Sequence, residues 1–132
     1  MYKVTKIITY MATRDIELQN LETGTIDMCF DDSAVVSYTN FDFVKEGEVY
    51  DCKMELFGNF VEEKTDSSVE ISIIKTNVLI GNTKYMEVMI NSDVYYILGK
   101  NAKNLDQRKS AYYYFTRIDI IQVDNVIHAD CL

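Results

Sequence analysis

The chain's 132 residues (15.3 kDa) carry a net charge of −8 and are 48 % hydrophobic, enough apolar side chain for one interior and too short for two ordinary domains, so a single β domain over 1–132 is expected. No run approaches the roughly 20 apolar residues that cross a bilayer. An odd number of widely spaced cysteines, Cys29, Cys52 and Cys131, excludes a disulfide framework and a CxxC metal pair and points to a reducing, cytoplasmic setting.

Val, Ile, Tyr, Phe and Thr outweigh the good helix formers, which predicts sheet. Tyr2 to Tyr10 reads as the first strand, its apolar stretch being too short and polar for a secretory leader. Thr25 to Phe30 alternates with Ile26, Met28 and Phe30 aligned on the face expected inside. Phe43-Val44-Lys45-Glu46-Gly47-Glu48-Val49-Tyr50, a glycine turn feeding a strand, resembles the opening strands of OB-type barrels. From Glu48 to Phe57, Tyr50, Cys52, Met54 and Leu56 share the face expected to be buried, and Val69, Ile71 and Ile73 do the same further on. Met86, Val88 and Ile90, then Asn91-Ser92-Asp93, then Val94, Tyr96 and Leu98 predict a hairpin with a three-residue loop. Between Gly99 and Ala111 the polar composition predicts an exposed loop or short helical turn. Tyr112 to Val123 is the last long strand, bent near Arg117 where its face assignment drifts. The whole reads as all-β: an OB-like barrel or a sandwich of seven or eight short antiparallel strands with at most one short helix, because a sheet with one apolar face must close or pair to cover it.

The five glycines are isolated, so no phosphate-cradling loop exists and no cofactor is expected. His128 is the only histidine and lies beside the C-terminus, where an exposed, non-catalytic role is expected; a Cys/His nucleophile pair with Cys29, Cys52 or Cys131 is disfavoured for the same reason. Asp27, Asp31 and Asp32 with Asp15 or Glu17 offer oxygen ligands for a hard cation, but Asp-Asp-Ser reads first as a turn and no metal site is assigned. Glu46 with Glu48, and Glu62 with Glu63, read as surface rather than as acid/base pairs.

Charge is concentrated: residues 15–70 carry fifteen acidic and three basic side chains, a balance of −12. That field repels phosphate and attracts basic surfaces. The expected function is therefore a non-enzymatic protein-binding domain, an acidic inhibitor or immunity-like factor docking on a basic protein partner, with neither membrane nor nucleic acid as partner. The alternative is an OB-like module binding single-stranded nucleic acid or an oligosaccharide through Lys100, Lys103, Arg108 and Lys109 beside Tyr95, Tyr113 and Phe115, cations for phosphate and rings for stacking.

Overall fold

The computed structural model describes residues 1–101 and 109–132. Among them are ten strands: β1 (Tyr2–Thr9), β2 (Arg14–Asn20), β3 (Ile26–Asp31), β4 (Val49–Tyr50), β5 (Cys52–Val61), β6 (Val69–Ile80), β7 (Thr83–Ile90), β8 (Asp93–Leu98), β9 (Ser110–Val123) and β10 (Val126–Ile127). Among the described residues helix is confined to one short α1 (Ser33–Val36) and 3₁₀ turns at Gly99–Asn101 and Ala129–Cys131. The all-β expectation holds, but the strand number is ten rather than seven or eight. Missing from the sequence reading were β2, whose charged residues leave only Ile16 and Leu18 to mark its buried face, and the two-residue β10, while the strand expected from Glu48 to Phe57 is divided at Asp51 into β4 and β5. No described helix is long and apolar enough to cross a membrane.

All ten strands belong to one sheet with ring-like bonding. One circuit runs β9–β5–β8–β7–β6 and returns to β9. A second runs β4–β1–β2–β3–β9–β5, and Asp51 joins β5 covalently back to β4. Both circuits use the antiparallel β5–β9 ribbon. Its central residues Glu55 and Asp119 are partners, flanked by Tyr96 of β8 and Phe30 of β3. Those two outer junctions are parallel, whereas antiparallel pairing throughout was expected. Along the ribbon the register slips at Thr116 and again at Ile121, so the bend anticipated near Arg117 is present as a bulge.

The interior is filled from both circuits. Val4, Ile16, Leu18, Cys29, Met54, Leu56, Ile71, Met86, Val88, Ile97, Tyr113 and Ile120 form one cluster, and the predicted face of Tyr50, Cys52, Met54 and Leu56 is buried as its alternation requires. A smaller cluster of Ile80, Tyr85, Tyr96, Ile121 and Cys131 lies under the C-terminal turn. Two expectations are corrected. In β3 the buried residues are Cys29 and Asp31, leaving Ile26 and Met28 outside at 56 % and 42 % exposure; Asp31 is admitted because Arg14 pairs with it at 2.9 Å. The β7–β8 loop is Asn91-Ser92 alone, with Asn91 at φ 53°. Asp93 enters the strand because its carboxylate accepts from Asn20 Nδ2 (3.0 Å), Thr23 Oγ1 (2.6 Å) and Thr25 Oγ1 (2.6 Å), which ties the β2–β3 turn to this hairpin.

Candidate functional site

The outward face of the β5–β9 ribbon carries Glu55, Phe57, Arg117 and Asp119. Strand alternation places them there, opposite the buried Met54, Leu56, Ile118 and Ile120. The chain leaving β3 brings Asp32 to one side. The C-terminal turn brings His128, Asp130 and Cys131 to another, fixed by Asn82 N–H and Thr83 Oγ1 donating to the Cys131 carbonyl (2.7 and 3.0 Å) and by His128 N–H donating to Ile121 O (2.9 Å). Gly81 permits this approach: its φ is +60°, and a Cβ there would stand 2.6 Å from the Cys131 carbonyl oxygen. Together these residues enclose a cleft of about 250 Å³.

Within the cleft, Tyr85 donates to Glu55 Oε1 (3.1 Å) and lies 3.3 Å from Cys131 Sγ. Burial lifts the Glu55 carboxyl above its ordinary 4.5, opposed by the Tyr85 hydrogen bond and reinforced by Asp119. Burial, then the bond to Tyr85 acting the other way, leaves the Cys131 thiol above its ordinary 9.0, so it is not an activated nucleophile. Arg117 binds Asp119 through two nitrogens at 2.6 and 3.0 Å, and its guanidinium lies 4.7 Å from the Phe30 ring centroid and 4.6 Å from that of Phe57.

His128 is a correction to the expected exposed terminal residue. It is 6 % exposed, 6.1 Å from the Phe41 ring, with Nε2 at 2.6 Å from Asp32 Oδ1 and Nδ1 at 3.1 Å from the Asp130 amide nitrogen. A backbone N–H can only donate, so Nδ1 holds the lone pair and Nε2 carries the proton given to Asp32. Asp32, His128 and Asp130 bring three possible ligand atoms within 4.8 Å of one another, the one such group among the described residues. A metal needs a free ring lone pair, and so does a general base; here the lone pair is already committed to the Asp130 N–H. The arrangement acts as a tether between the end of β3 and the C-terminal turn.

The carboxylates considered together for a hard cation are dispersed. Asp15 accepts from Tyr10 (3.1 Å), Glu17 from Thr5 (2.8 Å) and Asp27 from Tyr95 (2.6 Å), while Asp31 pairs with Arg14 and accepts from Ser33 N–H (2.9 Å), as a turn-forming Asp does. Glu46, Glu48, Glu62 and Glu63 are exposed. In the basic-aromatic set, Tyr95 and Tyr113 are buried, Tyr113 donating to Leu56 O (3.0 Å) and edge-on to Phe60. Phe115 is half-buried against the same core. Neither tyrosine presents a face for stacking. Lys100 and Lys109 are exposed, and Lys103 and Arg108 lie outside the described residues.

What sequence reasoning missed is the cleft itself, whose acids come from residues 32, 55, 119 and 130 with no local spacing to join them; the only signal was the acidic excess of residues 15–70. The cleft's one described guanidinium is engaged by Asp119, leaving Asp32, Glu55 and Asp130 as the surplus of negative charge. No family model matches the chain, and neither characterised proteins nor solved structures include a match to it.

Proposed function

We propose that the chain is a non-enzymatic protein-binding domain, an acidic inhibitor or immunity-like factor that docks on a basic partner and receives one of its cationic side chains in the cleft. The observation that carries this reading is the convergence of Asp32, Glu55, Asp119 and Asp130 around one opening whose Arg117 is already paired. A Lys or Arg entering there gains several carboxylates at once and restores the solvation that burial denies Glu55. Titration calorimetry with an oligo-arginine peptide tests it. Binding is expected at low ionic strength, weakening toward physiological salt as a Debye length near 8 Å is reached. Combined Asp32→Asn, Glu55→Gln and Asp130→Asn should abolish it. Binding indifferent to the triple variant, or none at low salt, would sink the reading.

A second reading keeps the OB-like description, favoured by the circuit β1–β2–β3–β9–β5, which closes five strands through β4 with one parallel junction. Such a module would bind single-stranded nucleic acid or an oligosaccharide near exposed Lys100 and Lys109. The burial of Tyr95 and Tyr113 weighs against it. Fluorescence anisotropy with labelled single strands separates the two: micromolar binding near physiological salt would favour the second.

A further inference from the structure

The apolar alternation of β3 faces water. Ile26 and Met28 stand outside, and Phe30 follows on the same face, half-buried against the Arg117 guanidinium. That guanidinium also lies against Phe57, which is 50 % exposed at the cleft. Arg117 is held flat and neutralised by Asp119, so it serves as a bridge between two rings rather than as a free cation. Ile26, Met28, Phe30, Arg117 and Phe57 are thus one continuous strip from β3 to the rim of the acidic cleft. Three apolar residues aligned on the solvent face of a strand cost solubility and give no core in return.

Carboxylates border the strip on both sides, densest at the cleft, while on the β2 side Glu17 has Lys6 of β1 as its neighbour. Across the β2–β3 pairing, Ile26, Met28 and Phe30 stand opposite Gln19, Glu17 and Asp15. Beyond Phe57 come the carboxylates of the cleft. Charge complementarity selects among occupants. A second copy of this chain would bring the same acidic rim, on a molecule of charge −8, against itself, and a nucleic acid would add phosphate to carboxylate. A partner with both apolar and cationic side chains satisfies the strip and the rim together.

Resting on the protein-binding reading above, we propose that the strip Ile26–Met28–Phe30–Phe57 is the apolar half of the docking surface, and that its partner is a protein segment presenting apolar side chains next to Lys or Arg. Apolar contact supplies affinity and the rim supplies orientation.

The test is selection of a displayed random-peptide library on the immobilised protein at low salt. Enriched peptides are expected to combine apolar residues with Lys or Arg. The best of them should bind the double variant Ile26→Thr, Met28→Thr about tenfold more weakly, as expected for losing two half-exposed apolar contacts. Both side chains are exposed, so the variant's thermal midpoint should stay near that of the parent. As a readout independent of any variant, the peptide should shift the amide resonances of residues 26–30 and 57 in the parent protein. Peptides that are basic but not apolar, and indifferent to the double variant, would overturn this proposal and leave the acidic-cleft reading standing. Apolar peptides without cations would overturn both. Shifts elsewhere, self-association abolished by the double variant, or no enrichment would each overturn the strip as a partner site.

Discussion

Gly58 shows how little freedom the shared ribbon has. A Cβ on it would overlap the Tyr114 carbonyl oxygen and lie 2.6 Å from the Phe115 Cα, both backbone atoms of the strand opposite, beside the Thr116 bulge. No flexible side-chain end can give way. Gly58→Ala should therefore destabilise by about 2 kcal/mol or more, measured as a lower urea midpoint. Cysteine chemistry is decided at the same scale. Burial lifts the Cys52 thiol to about 12 and Cys29 well above its ordinary value, and all three cysteines are free and buried. Thiol reagents should leave the folded protein unlabelled and take up three equivalents in denaturant, with no mass change on reduction; labelling of native Cys29 or Cys52 would contradict their burial.

Among the elements, alternation was legible where one face meets the interior and the other meets water, as in β5. It misled in β3, where the interior face is Cys29 and Asp31 and the apolar residues lie outside. The inversion depends on Arg14, fourteen residues before the strand's middle, and no window over 25–30 contains it. Likewise the hairpin was legible but its loop length was not, because Asp93 looks like a turn residue until Asn20, Thr23 and Thr25 arrive from another hairpin. The cleft was illegible for the same reason: its acids meet only once two circuits have closed. Asp93→Ala would orphan those three donors and loosen the contact between hairpins, costing about 2–3 kcal/mol in chemical unfolding; a cost under about 0.5 kcal/mol would mean water replaces the carboxylate without loss.

For the molecule as a whole, two carboxyls bind their protons more tightly folded than unfolded. Burial raises Glu55 above 4.5 and Asp27 above 3.8, the latter opposed by the Tyr95 hydrogen bond and reinforced by Asp93. Since the folded values are raised, the stability these groups contribute is fully present below the ordinary values and is lost as pH rises through the folded ones. Glu55→Gln keeps an oxygen for Tyr85 and removes the buried charge. It should match the parent in acid below the ordinary Glu value and become the more stable protein as pH rises toward neutrality. A stability difference that does not change with pH would show that Glu55 is not desolvated.

The β5–β9 ribbon also dictates the order in which the molecule can become a molecule. On a ribosome, residues 1–109 emerge with eight of the ten strands, yet neither circuit can shut, because β3, β5 and β6 all wait for the strand that begins at Ser110. Until then Met54, Leu56 and Ile71 have no cover from the later strand, and a protease or chaperone meets an open sheet. Chains stalled after residue 109 should be digested throughout, whereas chains extended past β10 and clear of the exit tunnel should become resistant in one step. A protected N-terminal fragment from the stalled chain would show that the first circuit can stand without the last strand.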